Sequence, residues 1–220
     1  MRTRIKMCGI MRPQDALLCA RAGADAIGMI FHPPSRRNVS LETASAIIAA
    51  LPPFVTPVGV FVDADANHIR QVCSRLGLRC VQLHGRETPD LAAALHPLAV
   101  IKSLRVDPAT LPQDLDSWRR APIAGLLLDT AADLPGGTGQ PNNWSLIHRY
   151  QKDLRLNCFS SLIVAGGLTA SNVARVIRLI RPWGVDVSSG IEKRTGSKSP
   201  SLVSAFAQAV HKIRLDEPPS

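Results

Sequence analysis

Two residues that can move protons stand at the ends of two apolar runs. Cys8 closes the run RIKMC and is followed at once by Gly9, which lets backbone come close to a ligand. Asp129 closes the run GLLLD, so partial burial would raise the pKa of its carboxyl group and keep part of it protonated near neutral pH. Cys8, facing a polar opening, would be thiolate in part. Together they suit proton transfer between an acid and a base on opposite sides of a pocket.

The alternative for Cys8 is a purely structural role, since a free cysteine is usually a small buried apolar side chain. That interpretation fits Cys19 and Cys73, which lie on the apolar faces of predicted helices, and Cys80, which lies inside a predicted strand. It fits Cys8 less well, because Cys8 occupies the last strand position before a glycine.

Two glycine-containing turns follow the last two predicted strands. The first contains Gly166 and Gly167, and the second contains Ser188, Ser189 and Gly190. Backbone N–H groups in such turns can surround a phosphate group, and bulky side chains would block its approach. The alternative is that the glycine pair only permits a tight turn into a helix. The two turns together favour a phosphate site.

Short apolar runs typical of strands alternate eight times with longer runs of helical spacing. The predicted strands cover residues 3–8, 25–31, 55–62, 79–84, 98–104, 123–129, 161–167 and 184–190. Helix starts are predicted at Pro13, after Ser40, at Asp107-Pro108, near Asn143, after a Thr169 cap and at Ser199-Pro200. The strands are continuously apolar, as expected when parallel strands are covered on both faces.

Eight such units predict an α/β fold, a (β/α)8 TIM barrel. We expect a single domain over residues 1–220, with residues 215–220 as a frayed tail. The alternative is an open doubly wound sheet, but its first strand would lead into a glycine-rich turn, and MCGIMRP has one glycine. In a barrel the carboxyl ends of all strands meet at one mouth. The fold therefore predicts that Cys8 and Asp129 share a site with His84 and Asp186.

Composition argues against several classes of protein. The net charge is +9, yet basic residues are scattered and aromatic residues make up only 4%, so nucleic-acid binding is not predicted. No apolar run reaches the roughly 18 residues of a membrane helix, and no signal-peptide pattern opens the chain. The five cysteines show no C-x-x-C spacing. We expect a cytoplasmic protein, in a reducing setting, whose partner is a small anionic molecule.

Eight blocks occur in this order: KMCGIMRPQDA, GADAIGMIFHPPSRRNVS, PVGVFV, VQLHG, LLLDT, GGTG, VAGGLTASNV and VDVSSGIE. In content and order they resemble the phosphoribosylanthranilate isomerase family of tryptophan biosynthesis. The resemblance covers nearly the whole chain.

The resemblance implies a role for each matching residue. Cys8 would be the general base, Asp129 the general acid, and Arg37 the contact for the anthranilate carboxylate. His84 and Asp186 would contact the substrate at the mouth. The phosphate would bind at Gly166, Gly167, Ser188, Ser189 and Gly190.

The implied reaction is an aldose–ketose isomerisation, the Amadori rearrangement of N-(5-phosphoribosyl)anthranilate to 1-(2-carboxyphenylamino)-1-deoxyribulose 5-phosphate. Asp129 would protonate the ribose ring oxygen, and Cys8 as thiolate would take the proton from C2. The chemistry only moves protons, so we expect neither a cofactor nor a metal ion. Family members include many monomers and some thermophilic dimers, and we expect a monomer.

Some positions depart from the family pattern. His32 and Asn38 replace common aromatic residues, QPNNW follows GGTG, and KRTGSKS follows SSGIE. We expect these changes to lie in mobile loops and at the rim, where they would alter affinity and loop closure more than the chemistry.

Three alternatives remain open. The related isomerase of histidine biosynthesis performs the same rearrangement on a similar barrel. It resembles a two-aspartate design with a duplicated half-barrel, whereas this chain has Cys8 at the first position and no clear half-chain repeat. A bifunctional enzyme is the second alternative. The third is a non-catalytic phosphate-binding barrel, which the presence of both Cys8 and Asp129 disfavours.

Overall fold

The computed structural model describes residues 2–130, 144–153 and 156–213, and in it eight parallel strands close into a barrel in chain order. The strands are β1 Arg4–Cys8, β2 Ala26–Phe31, β3 Thr56–Phe61, β4 Cys80–Leu83, β5 Ala99–Arg105, β6 Gly125–Asp129, β7 Leu162–Ala165 and β8 Gly184–Val187. The helices are α1 Pro13–Arg21, α2 Leu41–Ala49, α3 Ala66–Leu76, α4 Pro89–Ala94, α5 Leu111–Trp118, α6 Trp144–Asp153, α7 Val173–Ile180 and α8 Pro200–His211. The predicted (β/α)8 barrel is confirmed.

The alternation of side chains along β6 directs Asp129 into the barrel. Leu126 and Leu128 belong to the large core between the barrel and its helices, whereas Leu127 packs inside the barrel with Ile163. Successive residues of a strand face opposite sides. Asp129, two residues beyond Leu127, therefore shares its inward face at the carboxyl end of the strand.

The same alternation operates in β1. Ile5 and Met7 are fully buried in the outer core. Lys6 and Cys8 therefore face the barrel interior one above the other.

Three helix starts lie where the sequence predicts them. α1 begins at Pro13 and α8 at Pro200. The first N–H groups of a helix have no intrahelical acceptor, so a proline at this position loses no helical hydrogen bond. At the start of α2, the Ser40 hydroxyl accepts a hydrogen bond from the backbone N–H of Thr43 at 3.2 Å.

The predicted start of α5 at Asp107-Pro108 is wrong. The helix begins at Leu111. The Asp107 carboxylate accepts a hydrogen bond from the N–H of Ala109 at 2.9 Å and so closes a local turn instead of opening the helix.

The predicted Thr169 cap of α7 is also wrong. The helix begins at Val173, with Asn172 at its N-cap. The Asn172 side chain accepts a hydrogen bond from the N–H of Thr169 at 2.8 Å, so a turn separates Thr169 from the helix.

A small element between β8 and α8 is not predicted by the sequence patterns. A 3₁₀ turn covers Ser189–Ile191, and β9 Glu192–Arg194 pairs antiparallel with β10 Ser197–Lys198. We call β9 and β10 the hairpin. It lies beside the mouth of the barrel and contributes two residues to the site described below.

The GGTG block at 136–139 and the predicted frayed tail at 215–220 lie outside the described residues. Among the helices that the structure does describe, none has both the length and the apolar character that crossing a membrane requires.

Candidate active site

A cavity of about 440 Å³ opens at the carboxyl ends of the barrel strands. All ten residues that the sequence selects line it: Cys8, Arg37, His84, Asp129, Gly166, Gly167, Asp186, Ser188, Ser189 and Gly190. They are spread over most of the chain, and the parallel closure of the barrel brings them to one place.

Cys8 lies over a gap left by a glycine of the neighbouring strand. Its register partner on β2 is Gly28. A Cβ atom on Gly28 would lie 2.6 Å from the Cys8 Sγ and 3.1 Å from the Lys6 Nζ. The glycine therefore makes room for both the sulfur and the ammonium group.

The Cys8 thiol keeps its proton more firmly than the sequence predicts. Burial raises the pKa of the thiol, and the negative charge of Asp186 adds to the rise. Lys6 and Lys198 lower the pKa, but burial outweighs them. This direction is opposite to the expected one, because a polar opening does not compensate for the burial of a side chain that is only 6% exposed.

Lys6 and Asp186 form a buried ion pair next to Cys8, and Asp186 lines the cavity. They are register partners on β1 and β8, and the Lys6 Nζ donates to the Asp186 Oδ1 at 3.0 Å. Burial disfavours the charge on Lys6, but the negative charge of Asp186 opposes burial, and the pKa of Lys6 lies above its ordinary value. Lys6 therefore carries a positive charge within the site.

Asp129 and His84 face each other across 3.6 Å, measured from the His84 Nε2 to the Asp129 Oδ2. Burial raises the pKa of Asp129 against the opposing effect of His84, and Asp186 adds to the rise. This direction agrees with the prediction from the sequence. Burial also lowers the pKa of His84, although Asp129 acts the other way, so the imidazole is mostly neutral at pH 7.

Gly9 allows the Arg37 side chain to pass directly beside Cys8. A Cβ atom on Gly9 would lie 2.5 Å from the Arg37 Cδ, and the residue has a φ of +71°. The guanidinium group donates two hydrogen bonds to Glu192, from Nε at 2.9 Å and from Nη2 at 2.7 Å. Glu192 thus holds Arg37 against the cavity wall.

Lys198 joins the ends of two barrel strands to the hairpin. Its Nζ donates to the Cys8 carbonyl at 2.7 Å, to the Ser188 carbonyl at 3.0 Å and to the Glu192 Oε1 at 3.0 Å. The side chain is fully buried. For this residue, the expectation that the segment after SSGIE lies at a mobile rim is wrong, because its ammonium group fixes the wall behind Cys8.

The glycine turns fit closely against neighbouring backbone. Gly166 has a φ of +90°, and a Cβ atom there would lie 2.5 Å from the Thr130 carbonyl oxygen. A Cβ atom on Gly190 would overlap the Leu168 carbonyl oxygen. Packing alone therefore requires glycine at these two positions, and phosphate binding remains a separate prediction for them.

The family model described as N-(5′-phosphoribosyl)anthranilate (PRA) isomerase matches residues 5–209. The chain belongs to this family. An N-(5′-phosphoribosyl)anthranilate isomerase of Pseudomonas savastanoi pv. phaseolicola is 46% identical over 210 residues, which cover 94% of this chain and 97% of the relative. One from Nitrosococcus oceani is 40% identical over 215 residues, covering 97% of this chain and all of the relative.

Solved structures of PRA isomerases have the same fold. The enzyme of Thermotoga maritima superposes with a TM-score of 0.85 at 38% identity, over 96% of this chain and 100% of the other. A PRA isomerase in complex with reduced 1-(o-carboxyphenylamino)-1-deoxyribulose 5-phosphate gives a TM-score of 0.83 at 36% identity, again over 96% and 100%.

Two departures from the PRA isomerase pattern contact each other. The Asn38 side chain accepts a hydrogen bond from the backbone N–H of His32 at 2.8 Å, and His32 lines the cavity. Together they shape the loop that carries Arg37. His32 therefore belongs to the cavity wall.

The sequence reasoning missed three residues of this PRA isomerase site: Lys6, Glu192 and Lys198. Lys6 could have been predicted, because a residue two positions before Cys8 on a strand must share its face. Glu192 and Lys198 could not have been predicted, because only the fold of the hairpin places them beside Arg37 and the Cys8 carbonyl.

Proposed function

We propose that this chain catalyses the Amadori rearrangement of N-(5′-phosphoribosyl)anthranilate, with Cys8 as general base and Asp129 as general acid. The observation that carries the proposal is that both side chains, from β1 and β6, line one cavity. Family membership supports the reaction. The relative in complex with the reduced product supports the class of ligand.

The first step opens the ribose ring. Protonated Asp129 gives its proton to the ring oxygen while the bond between that oxygen and C1 breaks. The lone pair of the anthranilate nitrogen forms a C=N bond to C1, which leaves a protonated Schiff base and an aspartate carboxylate. The raised pKa of Asp129 favours this step, since it increases the share of the acid form near neutral pH.

The second step removes the proton from C2. The Cys8 thiolate takes that proton, and the C–H electrons form a C1–C2 double bond and neutralise the iminium nitrogen. The resulting enolamine gains a proton at C1 and loses one from its C2 hydroxyl group, which yields the ketone. Substrate and product are isomers, so the sequence of steps requires no electron acceptor.

Arg37 and the glycine turns would hold the two charged ends of the substrate. A guanidinium group has five N–H donors, and Glu192 uses two of those on Arg37, so three remain for the anthranilate carboxylate. The phosphate group would bind at Gly166, Gly167 and the Ser188–Gly190 turn. Fixing both ends leaves C1 and C2 between the acid and the base.

The test is a fluorescence assay that follows the loss of N-(5′-phosphoribosyl)anthranilate with purified protein. We expect turnover of this substrate and, in a separate assay, none of the substrate of the histidine-pathway isomerase. Turnover of both would establish the bifunctional alternative. Failure to turn over either would remove the proposed function.

We further propose that the protein acts as a monomer, because the base, the acid and the cation of the proposed mechanism, Cys8, Asp129 and Arg37, all come from one chain. The enzyme of Thermotoga maritima, by contrast, is dimeric. Sedimentation velocity across the concentration range of the assay tests the proposal. A dimer, together with a specific activity that falls on dilution, would contradict it.

A further inference from the structure

Lys6 and Cys8 converge on the same small space inside the barrel. They are two residues apart on β1 and share its inward face. A single point, the position of a Cβ atom on Gly28, lies 2.6 Å from the Cys8 sulfur and 3.1 Å from the Lys6 nitrogen. A glycine at this register position is therefore what allows an ammonium group to lie beside the thiol.

The ammonium group of Lys6 is held in place by one carboxylate. Asp186 is its register partner on β8, and the side chains of Lys6 and Asp186 are only 5% and 9% exposed. A buried ion pair of this kind often contributes no more to stability than packed apolar residues would. Stability alone is therefore a weak reason for a lysine at this position.

Other charged groups also face Cys8, but they have different partners. Lys198 is bonded to three oxygen atoms, and Arg37 is paired with Glu192. Asp186 faces Cys8 from β8 with a negative charge that raises the pKa of the thiol.

Asp129 and His84 line the same cavity. Of the two lysines that act on the thiol, Lys6 lowers its pKa more than Lys198 does.

We propose that Lys6 is a positioning residue that stabilises the thiolate form of Cys8 across the gap above Gly28. The proposal rests on the proposed role of Cys8 as general base. Burial alone would leave the thiol almost wholly protonated, and the adjacent ammonium group restores part of the thiolate form that removes the C2 proton.

The test measures the ionisation of Cys8 without reference to activity. The rate at which iodoacetamide alkylates Cys8 is followed against pH by mass spectrometry of the peptide that contains Cys8, because only the thiolate reacts. In Lys6→Met the midpoint should move to higher pH by about one unit or more, the usual effect of a close charge. In Asp186→Asn it should move to lower pH, because Lys6 remains and the negative charge is gone.

Lys102→Met is the matched control. Lys102 is a second buried barrel lysine, 1% exposed and paired with Glu87 at 2.6 Å, but it lies on β5 and is not among the charged groups that act on Cys8. Its loss should disturb stability in the same way without moving the Cys8 midpoint. Lys6→Arg keeps the positive charge and should keep the midpoint close to that of the parent protein.

Two results would overturn the proposal. One is a Lys6→Met midpoint equal to that of the parent in protein that still unfolds cooperatively. The other is a shift of the same sign in Lys6→Met and Asp186→Asn, which would indicate a general disturbance of packing. If Lys6→Met does not fold, the Lys6→Met/Asp186→Asn double variant, which contains no unpaired buried charge, is compared with Asp186→Asn and should show the higher midpoint.

Kinetics separates this proposal from the proposed function. A thiol pKa one unit higher leaves about tenfold less thiolate at neutral pH, so kcat of Lys6→Met should fall by about that factor while KM changes less. If Cys8→Ala retained activity, the role of Cys8 as base would fail, whereas the alkylation shifts would still decide whether Lys6 controls the thiol.

Discussion

Arg37 and Glu192 meet through two parallel hydrogen bonds of 2.9 and 2.7 Å, which connect the loop after β2 to the hairpin. The Glu192 side chain is 4% exposed and also accepts a hydrogen bond from Lys198. Burial acts to raise the pKa of Glu192, but the two cations outweigh it and hold the pKa below its ordinary value. Glu192 therefore stays ionised and fixes the plane of the Arg37 guanidinium group.

Arg37→Ala should mainly weaken substrate binding. Loss of a charge-assisted hydrogen bond costs about 1.5–3 kcal/mol, which corresponds to a rise in KM of roughly 10- to 150-fold with kcat less affected. Steady-state kinetics measures both constants. Arg36→Ala, at an exposed neighbouring arginine, is the control and should behave like the parent. An unchanged KM in Arg37→Ala would assign the carboxylate to another residue.

Glu192→Gln should raise KM through Arg37. The amide cannot accept two charge-assisted bonds, so the guanidinium plane is no longer fixed, and Lys198 loses part of its partner charge. We expect a KM increase smaller than in Arg37→Ala, and a double variant no worse than Arg37→Ala alone, because both changes act on the same contact. Additive effects in the double variant would contradict this coupling.

Cys8→Ala and Asp129→Asn should each lower kcat by roughly 100- to 10,000-fold, the usual contribution of a general base or acid. Cys8→Ser should also be poor, because a hydroxyl group is a far weaker base near neutral pH. Cys73→Ala, at a buried cysteine outside the cavity, and Asp116→Asn, at an exposed aspartate, are the matched controls. Near-normal turnover in either active-site variant, with its fold intact by circular dichroism, would remove that residue from the mechanism.

The pH dependence of kcat/KM should show reverse protonation. The active form needs Asp129 protonated and Cys8 ionised, although burial raises the pKa of both groups and the thiol starts from 9.0 against 3.8 for the carboxyl. As pH rises, activity should increase up to the pKa of Asp129, stay level, and fall above the pKa of Cys8.

Rates measured from about pH 4 to about pH 11 test this profile. The alkaline bend should coincide with the midpoint of Cys8 alkylation. It should move upward in Lys6→Met, while the acid bend moves less. An alkaline bend well below the alkylation midpoint would mean that another group limits the rate at high pH.

Gly28→Ala should impair catalysis because its methyl group would occupy the space of the Cys8 sulfur. The new Cβ atom would lie 2.6 Å from that sulfur, so the thiol must move, and a displacement of this size costs roughly 100-fold in kcat. Gly184→Ala is the control, since its nearest neighbour would lie at an ordinary 3.4 Å. Equal activity of the two variants would show that the thiol relocates without loss.

Strand alternation and parallel closure made much of the site predictable. The position of Asp129 follows from its place two residues after Leu127 on a strand with one inward face. The gathering of residues as distant as Cys8 and Gly190 follows from eight parallel strands whose carboxyl ends meet. The starts of α5 and α7 did not follow, because the side chains of Asp107 and Asn172 form local turns that compete with capping.

By itself the sequence determined the barrel, the nine selected cavity residues at strand ends and the direction of the Asp129 pKa, since these depend on periodicity and on the apolar run behind the carboxyl group. Arg37 was indicated only by the resemblance to the family. Only the tertiary structure decided the protonation of Cys8. That property is a balance between burial, which dominates, and the charges of Lys6, Asp186 and Lys198. The positions of Asp186 and Lys198 beside Cys8 are set by the register of β8 and by the hairpin, which residue spacing does not encode.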